Sequence, residues 1–146
     1  MKLNIGSGID YRHDYINIDW NRELKADIYL DIDKKNLPQK DSTVESIDAF
    51  HVIEHLNNFN HFMNECRRVL ISGGSLHIRT PSPLCEWFWQ DPSHIRGYMP
   101  NTFIIYCVAK EWKIKGLDLW SKANVNIEHS IENNVQAVII DVVMTK

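Results

Sequence analysis

The sequence predicts an α/β domain with a largely parallel sheet. Short apolar segments typical of strands alternate along the chain with segments of helical periodicity, the order expected of strand–helix–strand units. The last apolar segment, Val135–Thr145, is rich in β-branched residues and nearly continuous, as expected for a strand covered on both faces. Because the 146 residues contain no repeat, low-complexity tract or linker, we expect one domain over 1–146.

Seven segments are predicted as strands. They are Lys2–Ile5, Tyr15–Asp19, Asp27–Asp31, Ser46–Phe50, Ser75–Thr80, about Lys113–Leu119, and Val135–Thr145. The polar run Asn124–Asn134 is predicted as the turn that joins the last two strands. Only Ile9–Asp14 separates the glycines after the first strand from the second strand, which is too short for a crossover helix, so either the first crossover is a turn or loop or the strand predicted at Tyr15 is wrong.

The clearest predicted helix follows the fourth strand. Its apolar residues recur at steps of three and four and form one stripe of Phe59, Phe62, Met63, Cys66, Val69 and Leu70. Gly73 and Gly74 follow, where a left-handed C-cap is favoured. A second helix is expected to begin with Asn101 as N-cap and to bury Phe103, Ile104, Cys107 and Val108.

Composition excludes several classes of protein. The hydrophobic fraction of 44% and the charged fraction of 24% are ordinary for a soluble globular protein, and the net charge of −3 argues against general affinity for nucleic acid or anionic membranes. No apolar run approaches the ~20 residues of a membrane span, and the N-terminus has no signal-peptide pattern. Cys66, Cys85 and Cys107 are widely spaced outside any C-x-x-C pattern, which indicates reduced thiols and a cytoplasmic location.

The first two predicted strands end in residues that suit a nucleoside cofactor. Gly6-Ser7-Gly8 follows the first strand, and glycines there let the backbone approach a ligand closely. Asp19 ends the second strand, where a carboxylate can accept hydrogen bonds from a ribose diol. The alternative for Asp19 is a solvated strand-end acid or a helix cap.

Taken together, four segments resemble class I S-adenosylmethionine-dependent methyltransferases of a small, type-11-like subgroup with a shortened first crossover. The segments are Leu3–Gly8, Tyr15–Asp19, Ala26–Ile32 with the loop that follows it, and Ala49–Leu56 with Glu65–Leu70 and the glycine pair 73–74. The resemblance covers about residues 2–81 well and the remainder weakly.

The resemblance implies a fold, a cofactor and a reaction. The fold is a Rossmann-like three-layer sandwich on a seven-strand, mostly parallel sheet whose last strand is antiparallel. The cofactor is S-adenosyl-L-methionine, with S-adenosyl-L-homocysteine as product, and the methyl group passes to an oxygen or nitrogen of a small-molecule, sugar or protein acceptor. The cofactor-binding residues would be Gly6, Ser7, Gly8, Asp19, Asp31, Ile32 and His51.

The cofactor residues have distinct expected roles. Asp31 would lie near the exocyclic amine of adenine and Ile32 against the ring face; the alternative for Asp31 is a loop acid beside Asp33. Arg12 and His13 in the short crossover are interpreted as neutralising the methionine carboxylate or, alternatively, as a solvated basic loop.

Two histidines are candidate general bases. His51 follows the fourth strand at the carboxyl edge of the sheet, where it would orient the cofactor or accept a proton from the acceptor. His94 lies in an Asp-Pro-x-His segment that faces the acceptor in the resembling subgroup. The alternatives are local packing for His51 and loop anchoring for His94, and His55 is expected to be structural. Trp87-Phe88-Trp89 would wall an acceptor pocket, or serve as core or as the contact of a homodimer.

Three other functions were weighed. His51–His55 also matches the H-x-x-E-H pattern of zinc hydrolases, but the pattern follows a strand directly, and we predict no metal ligand. The small size of the chain also fits a non-catalytic S-adenosylmethionine-binding or regulatory subunit. A dinucleotide-dependent oxidoreductase is disfavoured, because the third glycine of G-x-G-x-x-G and the helix for the pyrophosphate are both missing.

Overall fold

The chain folds around one seven-stranded sheet. The computed structural model describes residues 1–108, 110, 119–132 and 135–146. The strands are β1 (Lys2–Ile5), β2 (Ile16–Asp19), β3 (Ile28–Tyr29), β4 (Val44–Phe50), β5 (Leu70–Pro81), β6 (Lys122–Glu132) and β7 (Val135–Thr145). Their spatial order is β3-β2-β1-β4-β5-β7-β6. The first five strands pair in parallel, and β7 runs antiparallel to both β5 and β6, which confirms the predicted sheet.

The first crossover is a loop fastened by two asparagines. Residues 6–15 contain no helix, although β1 and β2 pair in parallel. Asn4 and Asn17 lie side by side in register and are buried; Asn4 donates to Asn17 and to the carbonyl of Asp10. Asn17 accepts the Arg12 N–H and donates back to the Arg12 carbonyl. These bonds satisfy loop backbone groups that a crossover helix would satisfy internally.

The helices that cover the core are α1 (Phe59–Val69) and α3 (Pro100–Val108), while α2 (Glu86–Gln90) is a short helix after β5. The predicted stripe of α1 is confirmed, because each of its six residues is buried. It packs on the side chains of one sheet face, among them Ile47, Leu76 and Val142. On the opposite face of the central strands lie half-buried polar groups such as His77, which pairs with Asp141 at 2.6 Å.

The predicted turn at Asn124–Asn134 is wrong, because β6 occupies Lys122–Glu132 and pairs with β7 along its whole length. The segment alternates: Ala123 and Val125 pack against the core, while Asn124 and Asn126 are exposed. An edge strand with one polar face has this period of two, but the asparagine content made the segment resemble a turn. The strand predicted at about 113–119 falls almost entirely outside the described residues.

Two predicted helix boundaries are also wrong. Asn101 is not the N-cap of α3, which begins at Pro100; Met99 and Thr102 exchange hydrogen bonds there in a reciprocal cap. Of the four residues predicted to be buried, Phe103 is buried, Cys107 and Val108 are half-buried and Ile104 is exposed; Tyr106 is buried as well. The helix α1 ends on Leu70 in extended conformation, so Gly73, with φ +78°, lies beyond the cap and within β5.

Candidate active site

Two adjoining cavities lie at the carboxyl ends of β1, β2, β3 and β4. The larger, of about 620 Å³, is called the cofactor cleft here. It is lined mainly by the residues that follow these strands: Gly6, Gly8, Asp19, Trp20, Asn21, Asp31, Ile32, His51 and Val52, with Leu24, Asp33, Lys34, His55, Leu56, Asn57 and Ser93 around them. The smaller, of about 510 Å³, is called the acceptor cavity and is lined by His51, His55, Trp87, Gln90, Asp91, Pro92 and His94. His51 and His55 line both, so the two spaces meet at these side chains.

The glycine turn forms the floor of the cofactor cleft. Gly6 and Gly8 have φ of +65° and +52°, a conformation that side-chain-bearing residues rarely adopt. A Cβ on Gly6 would stand 2.4 Å from Cγ2 of Val52, so β1 and the segment after β4 approach each other only because this position is bare. Ser7, also predicted as a cofactor residue, is buried and does not line the cleft.

Asp19 is held rigidly at the end of β2. Its carboxylate is 6% exposed, and each oxygen accepts one backbone N–H: Oδ2 from Gly8 and Oδ1 from Asn21, both at 2.8 Å. Each carboxylate oxygen has a second lone pair. Asp19 therefore fixes the glycine turn and keeps acceptor capacity for a ligand in the cleft.

The loop after β3 brings Asp31 and Ile32 to the same cleft. Asp31 accepts the Lys34 ammonium at 2.6 Å and the Asp33 N–H at 3.1 Å, and its side chain is about one-third exposed. Ile32 is buried and belongs to the hydrophobic core. Asp33 in turn accepts from the side chain of Asn57 and the backbone of Asn58, which ties this loop to the start of α1.

His51 stands in an unusual backbone conformation between the two cavities. It has φ +56°, and its N–H donates to the carbonyl of Arg79 at 2.8 Å. Such strain in a non-glycine residue is retained where the surrounding structure imposes it, often at functional sites. Its Nδ1 lies 3.4 Å from Oε1 of the fully buried Glu54, and its ring meets Trp87 edge to face at 5.8 Å.

His94 lines the acceptor cavity together with His51. Its side chain is 9% exposed, and Nδ1 is 2.7 Å from the carbonyl oxygen of Phe88, so Nδ1 carries the hydrogen of that bond. Nε2 lies 3.7 Å from Oδ2 of Asp91. Hydrogen bonds from Ser93 lower the pKa of Asp91, which keeps this carboxylate negative beside the ring.

The remaining predicted residues divide between the site and the scaffold. Trp87 lines the acceptor cavity, Phe88 is buried, and Trp89 is 70% exposed with its indole N–H on the Pro83 carbonyl. Arg12 does not line the cofactor cleft: its guanidinium binds Asp10 and Asp48 and fastens the first loop.

The comparisons with known proteins agree with this geometry. The sequence model of a family described as a methyltransferase domain matches residues 5–78, about half of the chain, from the last residue of β1 to most of β5. The chain belongs to this methyltransferase family. A sequence search of curated proteins returns no match.

Solved structures show the same fold. An S-adenosylmethionine-dependent methyltransferase from Archaeoglobus fulgidus has a TM-score of 0.76 at 14% identity, covering 99% of this chain and 85% of that one. A second, from Thermotoga maritima, has a TM-score of 0.70 at 13% identity, covering 99% and 81%. A phosphoethanolamine N-methyltransferase from Haemonchus contortus, in complex with phosphomonomethylethanolamine and S-adenosylhomocysteine, has a TM-score of 0.63 at 13% identity, covering 99% and 48%.

The methyl donor of this methyltransferase is S-adenosylmethionine. The cofactor cleft suits it, because it combines a bare glycine turn, a fixed carboxylate and an apolar wall in a volume typical of cofactor sites. Within the described residues no helix is long and apolar enough to cross a membrane.

Sequence reasoning missed several residues that build the methyltransferase site. Trp20 and Leu24 line the cofactor cleft, and Trp20 is 74% exposed at its wall. Only their position in the sequence indicates them, since both follow Asp19 within one loop. Asn4 and Asn17 were missed as well, although an asparagine inside each of two adjacent apolar strands is a visible anomaly.

Proposed function

We propose that this methyltransferase transfers a methyl group to an oxygen or nitrogen nucleophile of a small-molecule acceptor bound in the acceptor cavity. The observation that carries the proposal is that His51 lines both cavities while His94 lines the acceptor cavity. The Haemonchus relative, bound to a small amine-bearing acceptor, supports a small-molecule substrate.

Four residues would hold the cofactor. Asp19 would accept the ribose hydroxyls, because its two oxygens are oriented by backbone N–H groups and retain lone pairs. Asp31 would meet the adenine amine and Ile32 the ring, while Gly8 lets the chain pass close to the sugar. When bound, S-adenosylmethionine supplies an electrophilic methyl group whose leaving thioether needs no acid, so positioning accounts for much of the catalysis.

His94 is the proposed proton acceptor. Because the Phe88 carbonyl holds the hydrogen on Nδ1, Nε2 carries the free lone pair when the ring is neutral. Asp91 would stabilise the imidazolium that forms when Nε2 takes the proton of an acceptor hydroxyl or amine. His51 would orient the acceptor between the cavities, with Trp87 as the wall.

The test is turnover of His94→Asn with a panel of small hydroxyl and amine acceptors, read as S-adenosylhomocysteine formed. His94→Asn should reduce turnover by roughly 10²–10⁴-fold and leave affinity for S-adenosylhomocysteine nearly unchanged. His61→Asn, on α1 and outside both cavities, is the matched control and should behave as wild type. Near-normal turnover in both His94→Asn and His51→Asn would remove the histidines from the proposed site.

A further inference from the structure

The H-x-x-E-H pattern does not form the helical zinc site that such a pattern describes. His51 directly follows β4 and has a positive φ. Ile53–His55 is a single 3-10 turn, so His51 and His55 do not lie on one face of an α-helix. A different trio comes together instead. One carboxylate oxygen of Glu54 and one ring nitrogen each of His55 and His94 all lie within 4.8 Å of one another.

We propose that Glu54, His55 and His94 form a binding site for one divalent transition-metal ion, with Zn²⁺ the best match. Two imidazoles and a carboxylate are ligands that Zn²⁺ uses, at bond lengths of about 2.0–2.2 Å. Ligand atoms around such a tetrahedral ion lie about 3.3 Å apart, so these atoms need to close by at most about 1.5 Å, within reach of side-chain rotation. The sequence predicts no metal ligand because the H-x-x-E-H pattern directly follows a strand, and His94 lies far from that pattern along the chain.

Both histidines make, through one ring nitrogen, the kind of hydrogen bond that metal-bound histidines usually make. A ligating imidazole almost always donates its other ring N–H to a carbonyl or carboxylate. Nδ1 of His94 is 2.7 Å from the Phe88 carbonyl oxygen, and Nδ1 of His55 is 3.1 Å from the Ser93 carbonyl oxygen. Both bonds place the hydrogen on Nδ1 and leave Nε2 as the lone-pair nitrogen of each ring.

The third ligand is a buried carboxylate with an unused oxygen. Glu54 is 0% exposed. Thr80 donates to its Oε2 at 3.1 Å, while Oε1 makes no hydrogen bond among the residues that the structure describes and has Nδ1 of His51 beside it at 3.4 Å. A buried carboxylate oxygen without a donor is costly, and a cation at the trio removes that cost. Asp91, close to the His94 ring, adds a second negative charge on the same side.

The geometry leaves one coordination position open. The trio supplies three protein ligands, and a tetrahedral ion takes a fourth from water or a bound molecule. Because His55 and His94 line the acceptor cavity, that fourth position lies on the side of the cavity. A bound ion occupies the Nε2 lone pair that His94 would use as proton acceptor in the proposed function, so metal binding and proton transfer by His94 exclude each other. Metal binding is testable in the full chain without any acceptor.

The experiment is calorimetric titration of the chelator-treated protein with Zn²⁺ under reducing conditions, with Co²⁺ absorption as the second readout. We expect one saturable ion per chain, and ligand-field bands without the near-ultraviolet thiolate bands that cysteine ligation would give. Glu54→Gln, His55→Gln and His94→Gln should each weaken Zn²⁺ binding by at least about tenfold. The controls His61→Gln and His77→Gln should bind as the wild type does.

Thermal unfolding of each variant separates a lost ligand from a lost fold. If Glu54→Gln does not fold, His55→Gln and His94→Gln decide the outcome, because both side chains reach the cavity. S-adenosylhomocysteine affinity, measured on the same samples, reports the cofactor cleft independently. Absence of saturable binding, or equal binding by the trio variants and the controls, overturns the site and leaves adventitious metal only.

Discussion

Replacing Asp19 by alanine tests where the ribose lies. The change removes a carboxylate that accepts backbone N–H bonds from Gly8 and Asn21 at 2.8 Å and, in the proposed complex, two ribose hydroxyls. The side chain is 6% exposed, so the lost acceptors are not replaced freely by water.

The expected loss divides between binding and folding. Hydrogen bonds to a charged acceptor contribute about 1.5–3 kcal/mol net, which corresponds to roughly 10- to 150-fold in the Kd for S-adenosylhomocysteine. The two backbone donors lose their acceptor even without cofactor, so the free energy of unfolding should fall by about 1–3 kcal/mol as well. Without ligand, the variant should therefore have a lower Tm than the wild type. S-adenosylhomocysteine should also raise the Tm of the variant by less.

The assay is calorimetry with S-adenosylhomocysteine and with 5′-methylthioadenosine, which keeps the ribose and lacks the amino-acid part. Both ligands should lose the same factor if Asp19 meets the ribose. Asp14→Ala removes the same charge from the loop before β2, at an exposed position paired with Lys2, and should leave both affinities unchanged. A folded Asp19→Ala protein that binds both ligands within twofold of wild type refutes this placement.

Three further outcomes are expected. S-adenosylhomocysteine should quench tryptophan fluorescence, and Trp20→Phe should abolish most of that change, because Trp20 is exposed on the cofactor cleft; an unaltered quench assigns the signal elsewhere. Glu65→Gln should cost about 1–3 kcal/mol at neutral pH in chemical denaturation, since Glu65 accepts both Arg68 and the Leu37 N–H. The Arg68 bonds lower the pKa of Glu65 below its unfolded value of about 4.3, so this stability is present above that pH and disappears as pH falls through the folded pKa; a stability gap between wild type and Glu65→Gln that persists in acid contradicts it. Gly6→Ala should lose cofactor binding and stability, as its Cβ would meet Val52, whereas Gly8→Ala, whose Cβ would make an ordinary contact with the Gly6 carbonyl oxygen at 3.9 Å, should lose less stability and weaken cofactor binding at the proposed sugar contact; an equal loss of stability in both would contradict the close approach at Gly6.

The parts of the fold that were predictable are those set by periodicity. The stripe of α1 and the β-branched run of β7 each carry a strong local pattern, and both were placed correctly. The edge strand β6 was not, because its one exposed face is built of asparagine and glutamate and resembles a loop when composition outweighs alternation. The predicted start of α3 was two residues late, because Met99 and Thr102 form the cap in place of Asn101.

The candidate site was predictable only where a residue directly follows a strand. Gly6, Gly8, Asp19 and His51 are adjacent to strand ends, and the topology alone brings strand ends to one edge of a parallel sheet. The partners of those residues were not predictable, because they come from distant parts of the chain. The carbonyl that orients His94 and the hydroxyl that meets Glu54 are examples set by packing and not by any local pattern.

The short first crossover explains why Asp19, the proposed ribose acceptor, also fixes the glycine turn. In a full strand–helix–strand unit, the first turn of the helix orders the glycine turn through its own backbone bonds. Residues 6–15 have no such helix, and the Gly8 N–H is satisfied by Asp19 instead. The hydrogen bond from the Gly8 N–H to Asp19 therefore both orders the loop and fixes the position of the proposed ribose acceptor. A substitution at Asn17 that removes its hydrogen bonds to Arg12 should loosen the loop. Through Asp19 it should weaken cofactor binding, although Asn17 does not line the cleft.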